Sequence, residues 1–298
     1  MNRKLVSIMA LTLLISTLNV AFNIRPVEPD YAWTETIYIR ADGRIDPPTV
    51  PITTVDKVTY TLTGNISSDG NGIVVEKDNI VVDGAGYTLQ GSGVYYSEGI
   101  SLLERSNVTI ENLRITMFEI GIRLTSCSNI TLSGNNMTNN EYDAIILSGS
   151  SNSTIVGNNL IDSYHGITLY YSSNNTISEN NIIQYRIWWG MMCGISLYGS
   201  SANSISGNNI ANHCEDGIRL SGSSRNSIIA NNITNNGGGI WLEQSSDNML
   251  RNNSMTHNRR NFFLFGGWSD YFVNDVDTSN TVDGKPVYYW INRRDMAV

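Results

Sequence analysis

Three carboxylates, an arginine and a histidine (Asp143, Asp216, Glu243, Arg219 and His165) stand beside short Gly-Ile-x-Leu-like tetrads, and so do the aromatics Tyr170, Tyr198 and Trp241. Aromatic faces pack on the apolar faces of sugar rings, while carboxylates and guanidinium groups hydrogen-bond their hydroxyls, so this mixture fits a glycan groove. Aromatics that merely cover a sheet face are the plain alternative. Asp216 and Glu243 fall on adjacent repeats and meet the spacing of about 5 to 9.5 Å that glycoside hydrolysis needs. Asp143, three repeats from Asp216 and so roughly 14 Å away, does not. In a lyase, Arg219 would steady a uronate carboxylate while Asp216 held a cation such as calcium. No motif fixes nucleophile, acid and base together. The leading expectation is therefore carbohydrate binding or envelope adhesion without turnover, with a polysaccharide lyase or hydrolase using Asp216, Glu243 and Arg219 as the alternative.

A second cluster carries different chemistry. Met191, Cys193, His213 and Cys214 supply thioether, thiolate and imidazole, the soft ligands that select Cu(I), although a repeated Met-x-x-Met spacing is absent. Cys193 and Cys214 also lie about one repeat apart, so in an oxidising compartment a disulfide between them would leave Cys127 over. Disulfide, two buried thiols and copper are the three readings of this pair.

What must position these residues is a repeat. Tetrads begin at Gly72, Gly99, Gly121, Ala144, Gly166, Gly194, Gly217 and Gly239, with a degenerate ninth at Asn261, and the steps are 22 or 23 residues apart from one of 27 and one of 28. Between them recurs Asn-x-Thr-Ile-x-Gly-Asn-Asn-x-Ile, as in Asn152 to Leu160 and Asn174 to Ile182. Alternation with period two, and enrichment in Ile, Thr and Tyr, make these segments strands. Three short strands per repeat, stacked with Ile on Ile, give an all-β right-handed parallel β-helix of about nine coils, roughly 43 Å long. The Asn pairs, such as Asn180-Asn181 and Asn208-Asn209, are expected to form amide ladders at the corners. Eight glycosylation sequons, among them Asn129, Asn152 and Asn174, are largely by-products of that pattern.

The ends differ from the middle. Residues 1–22 begin Asn2-Arg3-Lys4 and run uncharged from Leu5 to Leu18, the layout of a secretory signal, with an uncleaved N-terminal anchor as the alternative and the only expected membrane contact. A secreted, cell-surface or periplasmic location follows. Residues 31–71 are read as cap strands, 72–265 as the repeats, and 266–298 as a loop and a strand near Pro286 to Trp290. An uncapped last coil would expose strand edges, so self-association through the C-terminal end is expected. The formal charge of -8, with basic residues never running beyond pairs such as Arg259-Arg260 and Arg293-Arg294, excludes the footprint of a nucleic-acid binder.

The segments Thr36 to Gly43 and Asp78 to Gly86, the Gly-Asn-Asn coils and Asn280 to Tyr289 together resemble the NosD-like periplasmic copper-binding β-helix family, most of all its archaeal secreted branch. The resemblance covers about residues 36 to 298. It implies a parallel β-helix, a link to copper in nitrous oxide reductase maturation, a repeat shared with carbohydrate-binding proteins and sugar hydrolases, and further coils beyond the present C-terminus.

Overall fold

The computed structural model describes residues 35–186 and 192–291. They form a right-handed parallel β-helix of three long sheets, each of eleven strands, with one strand per sheet contributed by each coil. The first sheet collects the tetrads, in the order Ile37–Ile39, Ile73–Val75, Glu98–Leu103, Ile120–Thr125, Asp143–Ser148, His165–Tyr170, Ile195–Tyr198, Asp216–Ser221, Gly238–Glu243 and Arg260–Phe265. These ten strands are parallel, one turn more than the nine tetrads in the sequence. The extra turn starts inside the segment expected to be a cap: Ile37–Ile39 pairs in parallel with Ile73–Val75. Within that segment, among the described residues, only Ile45–Asp46 and Ile52–Thr53 turn back antiparallel, as a cap does.

Register explains the core. Ile100, Ile122, Ile145, Ile167, Ile195 and Ile218 lie directly over one another and are fully buried. Each such side chain contributes about 1.5–3 kcal/mol when removed from water. The tetrad glycines sit where no side chain fits. A Cβ on Gly166 would lie 2.3 Å from the Ile182 Cγ2, and one on Gly217 2.4 Å from the Ile233 Cγ2.

The corners are held by polar ladders. The first Asn of each Gly-Asn-Asn is buried and the second lies outside it, half-buried or exposed. In the buried ladder the Asn180 Oδ1 accepts from the Asn158 backbone N–H and Nδ2, both at 3.0 Å, while its Nδ2 donates to the Ile155 carbonyl at 2.9 Å and the Asn208 Oδ1 at 3.0 Å. Backbone polar groups that turn inward at a corner are thus satisfied without water. Cys127 heads a parallel ladder of serines, its N–H donating to the Ser150 Oγ at 3.0 Å, and its thiol is buried and free. The sequons Asn129, Asn152 and Asn174 form an exposed column with φ of 55, 55 and 60°, the left-handed geometry that Asn tolerates.

At the C-terminal end Ser269–Phe272 forms a short 3-10 turn, and Thr281–Val282 pairs antiparallel with Lys285–Pro286. The strand expected over Pro286 to Trp290 stops at Pro286. Val287 instead donates back to the Asn280 carbonyl at 2.8 Å, and Val287 and Tyr289 cross over the end of the core, where Tyr289 meets Phe262 edge-on.

Candidate functional site

The outer face of the tetrad sheet presents three columns of side chains. The residue before each tetrad gives Glu98, Ile120, Asp143, His165, Cys193, Asp216 and Gly238. The third tetrad position gives Ser101, Arg123, Ile146, Thr168, Ser196, Arg219, Trp241 and Phe263. The residue after each tetrad gives Leu103, Thr125, Ser148, Tyr170, Tyr198, Ser221, Glu243 and Phe265.

Polar groups of the first column lean diagonally onto the second column of the next coil. Glu98 pairs with Arg123. Asp143 accepts from the Thr168 hydroxyl at 2.5 Å, but its other oxygen is buried without a partner. Burial therefore pushes the Asp143 carboxyl up to about 7, with the Thr168 hydrogen bond and Arg123 opposing. Burial likewise raises Asp216 to about 6, against the pull of Arg219, whose Nη1 is 3.8 Å away. The Arg219 Nη2 meets the Glu243 Oε2 at 2.9 Å, so Asp216, Arg219 and Glu243 do come together, as one ion-paired group. Asp216 is only 2% exposed, however, and Arg219 stands between its carboxylate and Glu243.

The aromatics do not form one run. Tyr170 and Tyr198 stack in the third column with centroids 5.0 Å apart and planes at 13°, whereas Trp241 stacks on Phe263 in the second column at 4.2 Å. Stacking consumes the facing surfaces, which leaves the outer faces of each pair. Tyr170 is level with Ser148 on one side, and Tyr198 with Ser221 on the other, so both outer faces of the tyrosine stack look over small residues. Beyond Ser221 the column resumes at Glu243. The result is a notch two coils deep, roughly 9.6 Å from Tyr198 to the level of Glu243, flanked by Arg219. Burial holds the Tyr170 phenol up at about 12, protonated and able to donate.

His165 does not join this notch. Its Nδ1 accepts from the Cys193 N–H at 3.3 Å, Tyr142 and Tyr164 hold its ring edge-on at 5.7 and 4.9 Å, and burial lowers its pKa to about 4. Tyr142 and Tyr164 stack on each other at 5.5 Å. Sequence reasoning passed over this pair, although two tyrosines 22 residues apart, each directly before a first-column residue, carry the repeat's own signature.

The soft-ligand cluster separates. Met191 lies outside the described residues. Cys193 is a free, buried thiol pushed up to about 12, chiefly by burial and secondly by Asp216. The expected Cys193–Cys214 disulfide is therefore not formed, for a reason of register. Ile195 pairs with Ile218, which sets Cys193 level with Asp216 and leaves exposed Cys214 two residues short of it. His213 is buried at the neighbouring corner, with neither ring nitrogen hydrogen-bonded, and burial lowers its pKa to about 4. Among the described residues no three His, Cys, Asp or Glu side chains converge as a metal site requires. The described donors thus do not fit copper: the Cys193 thiol lies protonated on the outer face while His213 is sealed in a corner. Nor do the carboxylates offer the oxygen cage that calcium takes. No helix among the described residues is long and apolar enough to cross a membrane.

The sequence model of the family described as "Periplasmic copper-binding protein (NosD)" matches residues 41–193 and 186–287. No curated protein matches the chain. Among solved structures, the full-length tailspike protein 2 from Escherichia coli O157:H7 bacteriophage CAB120 superposes with a TM-score of 0.59 at 14% identity, covering 79% of this chain and 40% of the tailspike. PfbA, a surface adhesin of Streptococcus pneumoniae, gives 0.54 at 17% identity over 76% of this chain and 68% of the adhesin. The periplasmic alginate epimerase AlgG gives 0.50 at 13% identity over 84% of each. At such identities the likeness is one of fold.

Proposed function

The chain belongs to the periplasmic copper-binding protein (NosD) family, and for this member of it we propose that the tetrad face binds carbohydrate, outside the cytoplasm, without turning it over. The observation that carries the reading is the tyrosine stack whose end opens over Ser221. A pyranose ring slides into the notch parallel to the Tyr198 ring, its hydroxyls within reach of Arg219 and Glu243. Aromatic stacking is worth about 0.5–1.5 kcal/mol, so Tyr198→Ala weakens binding roughly threefold to tenfold. Titration calorimetry with neutral and acidic oligosaccharides tests this. Failure of every saccharide to bind, or a Tyr198→Ala variant that binds every saccharide, acidic ones included, as tightly as the parent, removes the proposal.

Cleavage of the bound polysaccharide by the same face is the second reading, favoured by the Asp216 carboxyl at about 6, in the range where acid and base forms coexist. It requires reducing ends or unsaturated uronates that disappear in Asp216→Asn. Burial of Asp216 and the capture of Glu243 by Arg219 weigh against it.

A further inference from the structure

Between successive tetrads two intervals are longer than the rest, 27 residues from Gly72 to Gly99 and 28 from Gly166 to Gly194. Between the strand Thr88–Gly91 and Glu98 the chain inserts residues 92–97, and after Asn181–Ile183, four coils on and about 19 Å away, it turns the same corner through Tyr185 and Arg186. The three coils between them turn this corner tightly, through residues 117–119, 139–142 and 162–164.

At this corner lies a cleft of about 280 Å³, lined by Gly93, Met117, Phe118, Asn140, Glu141 and Arg186. Gly93 opens the loop of Val94, Tyr95 and Tyr96, whose tyrosines are 73% and 91% exposed. Tyr96 sits at φ 65°, an uncommon geometry for a bulky residue, with its N–H donated to the Glu119 carboxylate. The opposite corner is pinned in the same way, Asp162 accepting from the backbone N–H groups of Tyr185 at 2.6 Å and Arg186 at 3.2 Å. Asn140 is 1% exposed, and its Nδ2 has no acceptor in the protein.

We propose that this corner cleft is a second carbohydrate site, separate from the Tyr198 notch, that takes a neutral sugar ring, a hexose or an N-acetylhexosamine. The volume, just below the range of about 300–1,000 Å³ that holds drug-sized ligands, suits one ring. Met117 and Phe118 offer an apolar wall, Glu141 accepts from hydroxyls, and the Arg186 guanidinium donates to ring or acetamido oxygens. Charge selects against acidic sugars: Glu141 lines the cleft while Glu119 and Asp162 hold the loops beside it, three carboxylates against the one cation of the described lining, Arg186, so a uronate carboxylate meets net repulsion.

The test is calorimetric titration of the full chain with cellohexaose, hexa-N-acetylchitohexaose and hexagalacturonate, repeated with Glu141→Ala, Arg186→Ala and Tyr198→Ala. A neutral hexamer binds, its affinity falls about tenfold in Glu141→Ala and Arg186→Ala, it is unchanged in Tyr198→Ala, and hexagalacturonate binds more weakly. Both side chains are remote from the core, and unchanged melting temperatures confirm that the variants fold. The proposal is overturned if neither neutral hexamer binds, if both cleft variants bind like the parent, or if hexagalacturonate is preferred. Loss confined to Tyr198→Ala also overturns it and leaves the tetrad-face reading standing.

Discussion

Replacing Asn180 by Ala should cost far more than replacing its neighbour Asn181, although the two are chemically identical and adjacent in sequence. The Asn180 side chain makes four buried hydrogen bonds, two accepted from Asn158 and one each donated to the Ile155 carbonyl and the Asn208 Oδ1. Asn180→Ala strands the buried Asn158 N–H, a loss of about 1–3 kcal/mol, and removes three further bonds at about 0.5–1.5 kcal/mol each. The total is about 2.5–7.5 kcal/mol. The half-buried Asn181 donates to the Asn159 Oδ1 at 2.8 Å and accepts from the Asn209 Nδ2 at 2.7 Å, and water can replace both partners. Its removal should cost no more than about 1 kcal/mol. Denaturant midpoints give the global difference, and hydrogen exchange at the Asn158 amide reads it locally, with protection falling at least a hundredfold in Asn180→Ala only. Equal destabilisation by the two variants, or an Asn158 amide still protected in Asn180→Ala, would refute the view that the inner ladder rather than Asn content holds the corner.

Asp143 ionises at about 7 in the fold against 3.8 for the free side chain, so the folded state binds the extra proton between those values and stability from this group falls as pH rises through the window. Asp143→Asn removes that slope, and its stability relative to the parent should rise by about 4 kcal/mol between pH 4 and pH 8; a difference that stays flat with pH contradicts the assignment. His165 and His213, lowered to about 4, act with the opposite sign between pH 4 and 6.5, and the comparison with the parent cancels them. Alkylation should label exposed Cys214 in the native protein and Cys193 only after unfolding, while native labelling of Cys193 or a Cys193–Cys214 bond in non-reducing mass spectrometry would overturn the register argument. The last tetrad strand, Arg260–Phe265, carries Phe263 and Phe265 at 38% and 52% exposure, so Phe265→Lys should reduce concentration-dependent association in light scattering; a parent chain monomeric at high concentration would show that this edge is already covered.

The fold was legible because the repeat is written twice, once in the tetrads and once in Gly-Asn-Asn, and stacking leaves one register in which every inward Ile meets another. Ile37–Ile39 was read as part of a cap because no tetrad glycine marks it. The site was less legible, since sequence gives the column of an outward residue but not the direction in which its side chain leans. Sequence places Tyr170, Tyr198 and Trp241 alike beside the tetrads, yet Trp241 stands in a different column from the tyrosines. The thiol pair failed by two residues of register, a margin hidden by the 28-residue coil. The corner cleft left its trace in the 27-residue interval, where the loop that Gly93 opens adds length that composition does not reveal.

One consequence of the three parallel sheets concerns force. Ladder hydrogen bonds lie across the strands, and here that direction is the long axis of the prism. Tension applied end to end is borne at each boundary by one coil's row of bonds, and rows give way in succession, as a seam opens. A load dragged sideways across the tetrad face is instead shared by many coils at once. A β-helix that grips a polymer along its flank is therefore mechanically strong in the direction in which that polymer would pull away, and weakest when held by its two ends.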